Sequence, residues 1–121
     1  MTILLRALAF AGALALSTGG ALAWGAIAID DEQGQSAADI GYGYVTGEDS
    51  EDAARRGALR ECRKRNTRSC KVVLTFEECG AYAVDRRNWG SSEGKSEASA
   101  RRNSLLQCGS GTCRVAVSVC N

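Results

Sequence analysis

The chain contains no histidine, a single methionine and few aromatics, with 2 Trp, 3 Tyr and 2 Phe in 121 residues. Without an imidazole, the Ser-His and Cys-His nucleophile systems have no general base. A zinc site also loses its usual nitrogen ligand, and no Cys-x-x-Cys knuckle occurs anywhere in the sequence. No apolar run reaches the roughly 20 residues that a membrane-spanning helix requires. The Asp30-Asp31-Glu32 cluster lacks the spaced oxygen ligands of a calcium-binding loop, so no metal or other cofactor is expected. The formal net charge is only +1, and overall charge therefore selects no partner.

An export signal is present. Met1 to Arg6 carries one positive charge, Ala7 to Leu16 is almost wholly apolar or small, and Ala21-Leu22-Ala23 offers small residues for cleavage. Residues 1–23 read as a cleaved signal peptide. The next residue is Trp24 rather than cysteine, so a lipid anchor is not expected and the product should be soluble, in the periplasm or secreted. Cleavage leaves 98 of the 121 residues, enough for a single domain over 24–121. All 6 cysteines fall in that part, and an oxidising compartment pairs thiols, so three disulfides are expected.

The mature sequence is one unit written twice, over 24–79 and 80–121. Ser50 to Cys62 matches Ser96 to Cys108 at seven of thirteen positions with an offset of 46. At ordinary residue frequencies about one match would arise by chance. Gly25-Ala-Ile-Ala-Ile-Asp30 matches Gly80-Ala-Tyr-Ala-Val-Asp85 at an offset of 55. Both read as strands with Ile27 and Ile29, or Tyr82 and Val84, on one face, and paired alanines on the other that let a helix approach closely. Gly41 to Gly47 is a second strand, and Asn88 to Gly90 is its shorter counterpart. Ser50 and Ser96 suit helix N-caps, and Glu51 and Glu97 follow where the helix dipole favours an acid. In the third strands, Val72, Leu74 and Phe76 match Val115, Val117 and Val119 as one buried face. The expected fold is α+β: two tandem β-β-α-β pseudo-repeats sharing one core, with helices packed on sheet and disulfides as staples.

Cys62 ends a helix and Cys70 opens the next strand, and Cys108 and Cys113 repeat that placement. This symmetry favours Cys62 with Cys70, Cys108 with Cys113 and, between copies, Cys79 with Cys120, among the pairings that six cysteines allow. Each bridge contributes about 2–4 kcal/mol, which matters where large apolar side chains are scarce.

Residues present in both copies are best explained by the shared fold, and residues in one copy are better candidates for a specific task. Glu51 to Arg55, Asp52 to Arg56 and Glu97 to Arg101 have the acid-first i to i+4 spacing of helix-surface pairs, so the duplicated arginines read as structural. The first copy is longer in two places, the acidic stretch from Asp31 to Ile40 and the segment after its helix. That second insertion carries Arg63, Lys64, Arg65 and Arg68, cations able to displace counterions from a polyanion. Trp89 is a candidate to stack on a ligand beside them, whereas alternating Tyr42 and Tyr44 read as one face of a strand. A two-carboxylate hydrolase would draw on Glu77, Glu78 and Asp85, but adjacent acids on a strand point apart.

The opening Trp24-Gly-Ala-Ile-Ala-Ile-Asp30, the Ala-x-x-x-Cys helices and the strands Cys70-Lys-Val-Val-Leu74 and Cys113-Arg-Val-Ala-Val117 resemble a bacterial family, domain of unknown function 4189. The resemblance covers the mature chain. It implies short exported proteins with a doubled cysteine-rich pattern and supplies no catalytic signature. The reading is a non-enzymatic binding module for a protein or an anionic envelope or host component, with nucleic acid disfavoured. An enzyme inhibitor or toxin-neutralising protein and a small carboxylate-dependent hydrolase are the alternatives.

Overall fold

A computed structural model describes residues 23–30, 41–65 and 69–121, with the side chain of Arg65 left aside. Residues 1–22, which hold all but the last residue of the expected signal peptide, the acidic insertion from Asp31 to Ile40 and residues Asn66 to Arg68 lie outside the described residues. The elements run β1 (Trp24–Asp30), β2 (Tyr42–Glu48), α1 (Glu51–Arg65), β3 (Cys70–Phe76), β4 (Cys79–Val84), β5 (Trp89–Gly94), α2 (Glu97–Cys108) and β6 (Arg114–Cys120). Two β-β-α-β units therefore follow one another. They build two antiparallel three-stranded sheets, ordered β2-β1-β3 and β5-β4-β6, each with its unit's first strand in the middle.

Alternation along the two central strands stacks the layers. Ile27 and Ile29 point to one side of β1, and Tyr82 and Val84 to one side of β4, where they meet with Phe76 and Val117 in a core between the sheets. On the outer faces Ala26 and Ala28 lie against Ala54, Ala58 and Cys62 of α1. Ala81 packs likewise against Ala100 of α2. The layers run helix, sheet, sheet, helix, with one shared apolar core. Burying side chains of the size of Ile27 or Phe76 stabilises by about 1.5–3 kcal/mol each.

Small residues set the spacing of these layers. A Cβ added at Gly43 would collide with the backbone nitrogen of Cys62, and one at Gly90 with that of Cys108, so the end of each helix rests directly on a strand. Gly25 and Gly80, one from each sheet, flank the Phe76 ring in the same manner. One aromatic ring thus occupies the space that two duplicated glycines leave free.

The helix ends follow their sequences. Ser50 Oγ accepts the Ala53 N–H at 3.0 Å, and Ser96 forms a reciprocal capping box with Ser99. α2 stops at Cys108 because Gly109 adopts the left-handed conformation at φ 78° and bonds back to the Leu105 carbonyl. α1 has Arg63 at the matching position and continues to Arg65.

The third strands depart from simple alternation. Ile27 pairs with Leu74 but Ala28 pairs with Val72, leaving Val73 as an extra residue. Tyr82 pairs with Val117 and Ala83 with Val115, leaving Ala116 extra at the equivalent place. These duplicated β-bulges turn Val72 and Val115 toward the helices and bring Val73 and Ala116 into the inter-sheet core. The expectation that Val72, Leu74 and Phe76, and likewise Val115, Val117 and Val119, share one face is corrected by that extra residue. Each bulge carbonyl then accepts from the opposite sheet: Ala116 O from Tyr42 Oη at 3.5 Å, and Val73 O from Ser91 Oγ at 3.3 Å.

The disulfides pair Cys62 with Cys70, Cys79 with Cys120 and Cys108 with Cys113. Cys79 is the first residue of β4 and lies directly opposite Cys120 on β6. That bridge therefore closes the second sheet on itself, rather than joining the two copies as its sequence position suggests. Tyr42 packs against the core as expected of its strand face, but Tyr44, opposite the core residue Ile27, is 40% exposed on β2, an edge strand of its sheet.

Gly43→Ala and Gly90→Ala are each expected to lift a helix end off its strand and destabilise the protein by about 1–3 kcal/mol. Gly111→Ala, which meets open space, should change stability by less than about 0.5 kcal/mol. Urea unfolding of the three variants measures the contrast.

Candidate functional site

Most duplicated polar groups are engaged in holding the fold. Asp85 accepts the backbone N–H of Arg87 at 2.8 Å and of Asn88 at 2.6 Å, and the Thr112 hydroxyl at 2.9 Å. The Arg87 and then the Asn88 amide hold its carboxyl well below the usual carboxylate range. Its counterpart Asp30 is buried and accepts the Ser69 N–H at 3.4 Å. Ser69 and Thr112 each immediately precede the second cysteine of a local bridge, so both aspartates tie the end of a central strand to a disulfide-closed loop. Asp85 also lies near Cys108 and Cys113, but those two sulfurs are bonded to each other and offer no thiolate.

The helix acids behave alike. Glu51 accepts from Arg55 at 2.9 Å and from the Thr75 hydroxyl at 3.2 Å, and these two partners, Arg55 first, lower its pKa. Glu97 accepts from the Ser118 hydroxyl at 2.7 Å and pairs with Arg101 at 3.9 Å. Asp52 pairs with Arg56 at 3.2 Å. The acid-first spacing thus produces the surface pairs that it predicts.

Unduplicated residues gather at the two ends of α1. At its start lies an open cleft of about 520 Å³ lined by Trp24, Glu51, Thr75, Glu77, Glu78 and Glu93, with Lys95 as a cation at its edge. Glu77 and Glu78 do not point apart as strand neighbours would, because they form the connection between β3 and β4 and both face this cleft. Asp85 sits past the opposite end of β4 and does not join them. Trp24 and Glu93 escaped the reading of the residues, although the two offsets hold a clue. Trp24 and Glu77 occupy, in the first unit, the positions that Cys79 and Cys120 occupy in the second.

At the other end, α1 runs past Cys62 for one further turn. Arg63 and Lys64 are exposed there, with Lys64 bonded to Glu61 at 3.0 Å. Arg65 ends the helix, and Arg68 lies outside the described residues. The Cys62–Cys70 bridge, with Cα atoms 6.1 Å apart, pins both ends of this cationic segment. The equivalent Cys108–Cys113 bridge closes only Gly109, Ser110, Gly111 and Thr112. Trp89 is half-buried against the inter-sheet core, with its ring 6.3 Å from that of Tyr82 and the Lys71 ammonium 6.0 Å from its centre. Its ring serves packing, and Lys71 connects it to the strand that begins at the pinned segment.

A family model described as domain of unknown function, DUF4189, matches residues 24–120. Among solved structures, the fold is similar to that titled "NMR structure of Rv1813c from Mycobacterium tuberculosis", with a TM-score of 0.57 at 18% identity, over 83% of this chain and 76% of that one. At that identity the likeness concerns the fold alone. No curated protein matches the sequence.

Because the Asp85 pKa is depressed on folding, its contribution to stability is present above the unfolded value near about 3.9 and is lost as pH falls through the folded one. Asp85→Asn should lower the thermal midpoint at pH 7, and the difference from the parent should shrink progressively below about pH 4. Thermal unfolding followed by circular dichroism across pH measures this.

Proposed function

The chain belongs to the DUF4189 family, and for this member we propose a non-enzymatic role: after export, it binds an anionic partner through the cationic segment between Cys62 and Cys70. The observation that carries the reading is the contrast between two otherwise equivalent loops. Both are closed by a disulfide between a helix and the start of a third strand, but the sequence between the bridged cysteines contains Arg63, Lys64, Arg65 and Arg68 in one and only glycine and hydroxyl residues in the other. A fold requirement would act on both. Pinned ends also reduce the ordering cost of binding.

Charge bookkeeping on α1 supports the same surface. Arg55 and Arg56 are neutralised by acids one turn earlier, whereas Arg60 and Arg63 make no ion pair among the described residues. The absence of histidine and the pairing of all six cysteines favour binding over nucleophilic catalysis. Disulfides accord with export, and among the described residues no helix is long and apolar enough to cross a membrane.

Replacing Arg63, Lys64, Arg65 and Arg68 together with Ser should abolish retention on an immobilised sulfated polysaccharide and on vesicles of anionic lipid, with the thermal transition unchanged. Parent affinity should fall steeply with added salt, as counterion release demands for polyanions. Undiminished capture by the Ser variant refutes the loop as the binding surface. A salt-insensitive stoichiometric complex with a single enzyme would instead identify an inhibitor.

A further inference from the structure

We propose that the ligand of the cationic segment is an extended anionic polysaccharide lying lengthwise on α1, with Arg56, Arg60, Arg63 and Lys64 as its track. This rests on the reading of the Cys62–Cys70 segment as an anion-binding surface and adds to it Arg56 and Arg60, which lie outside that segment.

The track follows from helix geometry. Residues three and four apart are neighbours on a helix surface, so Arg56, Arg60 and then both Arg63 and Lys64 form one row, about 12 Å long at about 1.5 Å per residue. From Arg55 to Lys64 the exposed side chains of α1 are Arg55, Arg56, Arg60, Arg63 and Lys64, every one a cation. The small and apolar side of the helix, with Ala54, Ala58 and Cys62, is closed against β1. Two acids of the helix touch the row: Asp52 holds Arg56 at 3.2 Å and Glu61 holds Lys64 at 3.0 Å. Exposed pairs of this kind are weak, and a polyanion can displace them. Glu51 is turned to Arg55 and Thr75, and Arg60 and Arg63 make no ion pair among the described residues.

Two observations separate this row from an ordinary solvated face. Arg60 stands between like charges four residues before it and three and four residues after it, an arrangement that weakens a helix. The fold does not require it: at the matching places the second unit has Arg102, Leu106, Gly109 and Ser110, and Leu106 is 76% exposed. A self-repelling row on only one of two equivalent helices is accounted for by a counter-charge supplied from outside.

What borders the row selects the form of that counter-charge. A helix that lies on a bilayer offers apolar side chains to it, and α1 exposes none between Arg55 and Lys64. Readers of single-stranded nucleic acid stack bases on aromatic rings, and α1 contains no aromatic residue. A single file of guanidinium groups, each able to grip a sulfate or carboxylate through two N–H donors, matches a sugar polymer that carries such groups at intervals. Successive groups of one chain then bind at high effective concentration, so affinity depends on chain length.

Calorimetric titration with sulfated oligosaccharides of graded length tests this on the parent, on Arg60→Leu, which installs the residue of the second unit, and on Arg60→Lys. Parent affinity should rise with length until the oligosaccharide spans the row. Arg60→Leu should weaken binding of the longest by about fivefold at about 0.1 M salt and reduce the slope of log affinity against log salt by about 0.7–0.9, with a thermal midpoint equal to the parent's or higher. Arg60→Lys should keep the parent slope. An affinity independent of length, or an Arg60→Leu variant that matches the parent on the longest oligosaccharide, overturns the track and leaves capture by the disulfide-closed segment standing. A thermal midpoint of Arg60→Leu well below the parent's makes Arg60 a structural residue and overturns it equally. Anionic vesicles or duplex DNA bound more tightly than the polysaccharide overturn the polysaccharide as occupant. Failure of the segment itself reads differently, since there the protein with Arg63, Lys64, Arg65 and Arg68 replaced by Ser binds as the parent does.

Discussion

The contact on which the molecule depends is the touchdown of each helix end on a glycine, Cys62 over Gly43 and Cys108 over Gly90. With no Cβ between them, the backbones of helix and strand meet, and the alanine faces of β1 and β4 close against Ala54, Ala58 and Ala100. That approach brings each helix-terminal cysteine to its partner at the start of a third strand. Where the chain leaves the helix is decided beyond that contact, by the left-handed Gly109 after α2 and by Arg63 in its place on the longer α1. A protein with so few large side chains gains its order from close contact of small ones and from covalent staples, because apolar burial alone has little area to act on.

Duplication divides the polar residues by task. Asp30 and Asp85 each tie a strand end to a bridged loop. Glu51 with Thr75, and Glu97 with Ser118, each tie a helix start to a third strand. These pairs repeat because both units need the same joints. What remains is one-sided and sits at the two ends of α1, carboxylates near its first turn and cations past its last. Both placements agree with the helix dipole, so the first unit can carry a charge separation along its length at little cost to the fold.

Much of this was legible from the residues. The offset of 46 located both helices, and serine followed by glutamate located their starts. Alternating Ala and Ile, or Ala and Tyr or Val, assigned helix-facing and core-facing sides of the central strands correctly, because a strand's side-chain period is two. The local cysteine pairs followed from equivalent positions. The bulges at Val73 and Ala116 were not legible, since one extra residue inverts the alternation without any change in composition. Nor was the convergence of Glu77 and Glu78, since nothing in the two letters says that the strand ends at Phe76 and the chain turns.

Local pattern by itself determined the two units, their helices, the core faces of β1 and β4, the local bridges and the acid-first ion pairs, because each depends on residues close together along the chain or repeated at a fixed spacing. Only the tertiary structure decided that the units form two sheets rather than one, that Cys79 and Cys120 staple the second sheet alone, and that Trp24, Glu51, Glu77 and Glu93 share a cleft. Those depend on strand order and register, which are settled by the simultaneous packing of both sheets around Phe76, a long-range condition that no single segment contains.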